Sequence, residues 1–438
     1  MKQSVLELLD LDRNGLKSLV NRHIETYRKG AVRLKFQSKD GPVSGAKVTI
    51  EQTGHEFKFG CNAFMADGYD TPEKNEIYRR IFRENFNQAV VPFYWNADEP
   101  EEGKWRLEAD ASYIYRRPAA PRVLDFCRDV GAEPKGHNML WFQMPPEWLV
   151  YQDVRALEKH ISERFRRLSR FADDIPVWDV VNEHLSRMLV FEQPEKWAGH
   201  CLILPKDYVY RAFELAARYF PDNHLIANED TERTWDDFHY DSSKFYLYLS
   251  NLIARGYRVD GMGMQYHLFT REEELEEKRK ATTLSAEHLL AFQDFYSQMN
   301  RPMHVSEITL PSYGGGAENE EIQARMADNL YRIWFSGPMS RSIVWWNLSD
   351  GAASGGEDYY SGGLLRADLT PKPSMKAVSR LINHEWHSHA VEISDELGGV
   401  NACLFYGDYR VTLEKNGQTA QRSIFFGKNS APVITLEI

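Results

Sequence analysis

Eight apolar runs of strand length recur along the chain, and segments with helical spacing separate most of them. The strand-like runs are 57–64, 88–95, 133–141, 175–183, 224–230, 259–267, 302–310 and 342–350. Apolar side chains at three- and four-residue intervals predict helices over 72–86, 154–172, 207–220, 242–256, 286–300 and 318–335. Strands that alternate with helices pair in parallel, because a crossover helix carries the chain back to start the next strand in the same direction. Eight such units close into a barrel, which removes both sheet edges. The expected fold is α/β, a (β/α)8 barrel. A doubly wound open sheet is the alternative, but the chain has no glycine-rich phosphate loop between a strand and a helix.

The pattern changes at both ends. Residues 1–15, MKQSVLELLDLDRNG, read as an amphipathic helix, so 1–30 is expected to be an N-terminal helix. Residues 31–56 alternate apolar and polar around a Lys39-Asp40-Gly41-Pro42 turn, as two strands would. From residue 388 to 438 short alternating strands return, and they suggest a small antiparallel β-sandwich that 31–56 would join. The barrel itself is then expected over 57–387. Two glycine-rich loops, 311–317 and 351–363, follow the seventh and eighth barrel strands and fall at the rim where barrel enzymes work.

Composition narrows the function. The 438 residues carry 53 Lys+Arg against 64 Asp+Glu, a net charge of −11, which argues against gripping a nucleic acid backbone. No run reaches the roughly 18 apolar residues of a membrane span. The N-terminus lacks the charged start, apolar run and small-residue cleavage site of a signal peptide. Four cysteines lie far apart without metal spacing and read as buried thiols. A cytoplasmic protein is expected, or a secreted one if a leader has been trimmed. Aromatic residues make up 13% of the chain, a supply of flat faces that could stack on sugar rings.

Candidate chemistry sits where the barrel strands end. Strand three carries His137 and Trp141, strand four Asn182 and Glu183, strand six Gln265 and His267, strand seven Glu307, and strand eight Trp346. Parallel barrel strands all end at one face, so these side chains converge although they are far apart in sequence. Two carboxyl groups in one cluster suit glycosidic cleavage, with one protonating the leaving oxygen and the other attacking the anomeric carbon. Their proximity should raise one pKa. A single Glu at a strand end is ordinarily a solvated rim residue, and His137 and His267 would serve equally well as structural histidines. Trp345 and Trp346 are adjacent, so only one can face the barrel interior. Trp95, Trp105 and Trp148 read as structural. The charged run 271–280 reads as a solvated helix or loop.

Five segments also carry a resemblance. VWDVVNE (177–183), GHNMLWFQMPPEW (136–148), DGMGMQYHL (260–268), HVSEITL (304–310) and VWWNLSDG (344–351) resemble, in order, motifs of glycoside hydrolase family 10, the endo-β-1,4-xylanases. The resemblance implies a retaining hydrolase with Glu183 as acid/base and Glu307 as nucleophile. It also implies that Asn182 bonds the sugar 2-hydroxyl, that His137 and Trp141 line the same subsite, and that Gln265 and His267 position Glu307. Trp346 would floor the pocket. No metal or organic cofactor is implied, and the partner is a β-linked oligo- or polysaccharide.

The sequence departs from that pattern at several points. Where the family carries Asn-Glu and then Lys before a Trp, this chain has Val91-Pro92-Phe93-Tyr94-Trp95, which makes Tyr94 a candidate floor of an altered subsite. Phe142 replaces a His, and Ser306-Glu307-Ile308-Thr309 replaces Thr-Glu-Leu-Asp. An extra stretch, 110–121, precedes the third strand. A glycine- and serine-rich loop replaces the second aromatic after strand eight. The departures leave two alternatives open: a different or decorated β-linked plant-wall glycoside as substrate, and a non-catalytic carbohydrate-binding barrel. Oligomeric state is left open.

Overall fold

The computed structural model describes residues 1–188, 192, 201–202, 204–275, 277 and 283–438. After a helix at Lys17–Arg28, the strands in chain order are β1 (Lys29–Ser38), β2 (Gly41–Pro42) and β3 (Lys47–His55). The barrel strands follow: β4 (Lys58–Asn62), β5 (Gln88–Pro92), β6 (Glu133–Trp141) and β7 (Val177–Asn182). They continue with β8 (His224–Glu229), β9 (Gly261–His267), β10 (Met303–Thr309) and β11 (Ser340–Trp345). The last strands are β12 (His389–Ile393), β13 (Gly399–Phe405), β14 (Gly407–Lys415), β15 (Gln418–Phe426) and β16 (Val433–Glu437).

Strands β4 to β11 form a closed barrel in chain order, every pair parallel. All eight strand-like runs of the sequence are therefore barrel strands. Their continuous apolar character follows from burial on both faces, by the helix layer outside and the packed interior inside. Strand β10 is buried at every position. The six helices expected from periodicity are present. Another, Ala120–Val130, was not singled out in the sequence; it starts with a proline in its first turn and ends at Gly131 with φ +72°.

The remaining strands make two four-stranded sheets, β13-β1-β16 with β2 on β1, and β12-β3-β14-β15. Residues 31–56 thus supply the central strand of each sheet. Within β1, Val32, Leu34 and Phe36 are buried and meet Val48, Ile50, Val411 and Leu413 of the facing sheet in one core. One pairing differs from the antiparallel expectation, because β16 runs parallel to β1.

The N-terminal helix also differs. Residues 3–6 form a single 3-10 turn, and the α-helix begins only at Lys17. Asp10 explains the break: its carboxylate accepts the backbone N–H groups of Asp12 and Arg13, both at 3.1 Å, and so competes with helical bonding. The apolar side chains Val5, Leu6, Leu9 and Leu11 are still buried, packed in the barrel's own core. In the run 271–280, Glu272–Glu274 form a short 3-10 turn, and residues 276 and 278–280 lie outside the described residues. Among the described residues, no helix is long and apolar enough to cross a membrane.

Close packing inside the barrel depends on small residues at particular points. A Cβ at Gly136 would fall 2.2 Å from the ring of Trp178, a fully buried side chain. Gly136→Ala is expected to destabilise the protein by about 1–3 kcal/mol through overpacking, measured by chemical denaturation with an unchanged dependence on denaturant.

Candidate active site

The C-terminal ends of the barrel strands surround a cavity of about 400 Å³. Every candidate residue of the sequence analysis lines it: Glu183, Glu307, Asn182, His137, Trp141, Gln265, His267, Trp346 and Tyr94. Trp95, Trp105 and Trp148 do not. Of the tryptophan pair, Trp346 faces the cavity, whereas Trp345 turns outward and donates its indole N–H to the Gly362 carbonyl at 2.9 Å.

Glu183 follows the last residue of β7 with a φ of +53°, a left-handed conformation that few non-glycine residues adopt. Its backbone N–H still reaches the Asn228 carbonyl at 2.8 Å, so the chain turns without leaving the barrel. Three donors converge on its carboxyl group. The Trp141 indole N–H and the Gln143 amide reach Oε2 at 3.0 and 3.1 Å, and the Gln265 amide reaches Oε1 at 3.0 Å.

Glu307, in β10, lies in different company. Asn228 donates to its Oε1 at 2.8 Å, and His267 Nε2 stands 3.2 Å from Oε2. The other ring nitrogen of His267 meets the Thr309 hydroxyl at 2.9 Å. His137 Nδ1 lies 3.9 Å from Glu307 and 2.9 Å from Asp179, which is also ion-paired with Lys135 at 2.9 Å. Lys135 and Asp179 are fully buried beneath the cavity floor.

The two carboxyl groups are joined by amides. Asn228 Nδ2 donates both to Glu307 and to Asn182 Oδ1, the latter at 2.8 Å. Gln265 Nε2 donates both to Glu183 and to the same Asn182 oxygen at 3.3 Å. Two donors therefore fix which way the Asn182 amide points, and its NH2 group is left for the cavity. Gly263 makes room for this chain, because a Cβ there would sit 2.2 Å from Asn228 Oδ1. One expectation is corrected: Gln265 bonds Glu183 and not Glu307, whose Oε1 is already taken by Asn228.

The electrostatics split the pair. Burial, the Asp230 carboxylate and then the Glu307 charge push the Glu183 pKa up to about 8, against the hydrogen bonds of Gln265 and Trp141. Burial would also raise Glu307, but His137, His267 and Lys135 outweigh it and lower its pKa to about 2. Between these values Glu183 holds a proton and Glu307 does not.

Sequence reasoning missed several residues of the site. Asn228 and Asp230 end β8 in the sequence Asn-Glu-Asp, the same signal of polar residues after an apolar run that identified strand four. Asp230 is held by the Ser186 hydroxyl and by the Arg233 backbone N–H at 2.9 Å. Arg116, Arg117, Gln143 and Glu357 come from loops and carried no such signal.

One carboxyl group that keeps its proton and one that loses it thus share a cavity at the C-terminal ends of the barrel strands, the face at which enzymes of this fold class work. The family model described as Glycosyl hydrolase family 10 matches residues 51–381, and the chain belongs to that family. It is 25% identical over 405 residues to an anti-sigma-I factor of Acetivibrio thermocellus, covering 91% of this chain and 46% of that protein. Endo-1,4-beta-xylanase B of Thermotoga neapolitana is 24% identical over 362 residues, covering 80% of this chain and 94% of that one. Endo-1,4-beta-xylanase B of Cellvibrio japonicus is 24% identical over 283 residues, covering 64% and 42%. The chain spans less than half the length of the first and third of these relatives. Among solved structures, native xylanase 10B from Thermotoga maritima superposes with a TM-score of 0.59 at 19% identity, covering 75% of this chain and 96% of that one. That likeness establishes a shared fold.

Because the Asp230 charge helps hold the proton on Glu183, Asp230→Asn is expected to lower the Glu183 pKa from about 8. Carboxyl chemical shifts followed through a pH titration read this directly, and an unchanged midpoint would show that the Asp230 charge has no part in setting it.

Proposed function

We propose that the protein is a retaining glycoside hydrolase that cleaves β-1,4-xylosidic linkages in xylan or xylo-oligosaccharides. The observation that carries this reading is the opposed protonation of Glu183 and Glu307 across one cavity. Family membership and the xylanase names of its relatives supply the substrate class.

In this mechanism Glu183 gives its proton to the glycosidic oxygen as the bond to the anomeric carbon breaks. The Glu307 carboxylate attacks that carbon and forms a glycosyl ester. Esterification removes the Glu307 charge, one of the influences that hold the Glu183 pKa up. Glu183 is thereby left a better stabilised carboxylate, suited to take a proton from the incoming water. Water attacks the anomeric carbon, the ester bond breaks and Glu307 is restored, with Glu183 protonated again. The free NH2 group of Asn182 supplies a donor to a sugar hydroxyl beside the reacting carbon. His137 and His267 keep Glu307 ionised, and Trp346 with Tyr94 gives the sugar an aromatic wall. Neither step requires a cofactor.

One second reading is a non-catalytic carbohydrate-binding barrel, and the Acetivibrio thermocellus relative, whose name is that of an anti-sigma-I factor and not of a hydrolase, is the reason to keep it. Product analysis on xylo-oligosaccharides separates the two. Glu307→Gln is expected to lose at least about three decades of turnover, because the covalent route is removed. Wild-type-like turnover in that variant would overturn the nucleophile assignment, and binding without turnover in the unmodified protein would favour the second reading.

The pH profile gives an independent check. Glu183 must be protonated, so kcat/KM is expected to fall as pH rises through about 8. Glu307 must be ionised, so its acid limb is expected near 2 in a protein that remains folded there.

A further inference from the structure

The cavity is electrically lopsided. On the side of β8, Asp230 and Glu232 line it; on the side of β4, β5 and β11, Arg116 and Arg117 do. These arginines belong to the stretch that precedes the Ala120–Val130 helix, and Arg116 holds a left-handed φ of +58°. The Arg117 guanidinium lies 3.5 Å from the centroid of the Tyr94 ring and 5.3 Å from that of Phe64. Arg116 lies 5.4 Å from the Phe64 centroid.

Both groups leave donors unused. Arg116 is 3% exposed, bonds the Ala352 carbonyl through one nitrogen, and has no partner for its buried Nε. Arg117 donates to the Arg116 carbonyl at 2.8 Å and makes a long contact to the Met144 sulfur at 3.9 Å. Among the described residues, no carboxylate forms an ion pair with either. An acid on this wall, Glu357, lines the cavity and acts on Arg117 through space, but its carboxylate accepts from Asn347 at 2.8 Å. Two adjacent guanidinium groups, Arg116 buried and Arg117 half-buried, share one wall and repel each other, and an anion in the pocket would relieve that repulsion. The planar fork of a guanidinium matches a carboxylate in two parallel hydrogen bonds. Neutral hydroxyls would require neither a pair of cations nor their burial.

We propose that the arginine side of this cavity is a subsite for a carboxylate-bearing sugar, a uronic acid unit, of the glycan on which the protein acts. The sugar ring would lie against the aromatic wall of Tyr94 and Trp346, and its carboxylate would meet Arg116 and Arg117. The acidic residues at the opposite side would disfavour such a unit there, so charge would set the register of the chain in the cleft. This inference rests on the glycan-cleaving reading and adds the charge of the substrate to it.

The test is binding measured by calorimetry on the Glu307→Gln protein, so that its outcome does not depend on turnover. Three xylo-oligosaccharides of equal length are compared: neutral, carrying glucuronic acid as a side group, and ending in glucuronic acid. At least one acidic arm is expected to bind about tenfold or more tighter than the neutral one, with the preference shrinking as salt is raised. In an Arg117→Gln version the ratio of acidic to neutral affinity is expected to fall about tenfold, and in Arg117→Lys by less. The ratio in the arginine-intact protein requires no folding of a further variant. Equal affinity for neutral and acidic arms in that protein would overturn the proposal. So would parallel losses for both in Arg117→Gln. Failure to bind any of the three, together with no turnover in the wild type, would instead overturn the glycan-cleaving reading.

Discussion

Two carboxyl groups buried in one small cavity ordinarily share a fate, since each raises the pKa of the other. Here they are driven apart, and the rest of the site is arranged around that separation. Glu307 is surrounded by His137, His267 and the Asn228 amide, with Lys135 beneath the floor. Glu183 receives neutral donors only and has the Asp230 charge beside it. The amides of Asn228, Asn182 and Gln265 link the two without carrying net charge. That linkage requires four consecutive barrel strands, β7 to β10, to deliver one residue each to the same depth. Barrel closure and parallel register provide this, and Gly263 leaves the space in which the Asn228 side chain sits.

The barrel was legible in the sequence because every strand had to be apolar on both faces. Runs such as 302–310 stand out for that reason, and their polar ends show where burial gives way to a site. Eight of the nine candidate residues stand out by this contrast, and Tyr94 by its place in the Val91-Pro92-Phe93-Tyr94-Trp95 departure. Asn228 and Asp230 carry the same contrast, but their segment lies outside the five motifs that resemble the family. Gln265 was assigned to the wrong carboxyl group because sequence gives the strand and the face but not which acceptor is already occupied. The N-terminal helix was misjudged because its apolar spacing is real, while the Asp10 carboxylate diverts the local N–H groups.

Arg116 and Arg117 were invisible for a different reason. An Arg-Arg pair in a loop is normally solvated, and only the fold reveals that this loop bends back over Tyr94 and Phe64. The end of β5, Val91-Pro92-Phe93-Tyr94, and the stretch before the helix therefore meet in one wall of the cavity. The aromatic surface on the strand is what the inserted guanidinium groups rest upon.

The terminal sheets have a practical corollary. Strands β1 and β3 come from before the barrel in sequence, yet apart from the short β2 every strand paired with them comes from after it. The sandwich is thus laced shut by both flanks of the chain, and Val5, Leu6 and Leu9 stitch the N-terminal flank into the core packed around the barrel's helices. No single scission separates the two lobes cleanly. Trimming the last fifty residues would strip β1 and β3 of their neighbours and leave two ownerless strands with their apolar faces bare. Anyone dissecting the protein must remove both flanks together and then patch the wound left in the barrel.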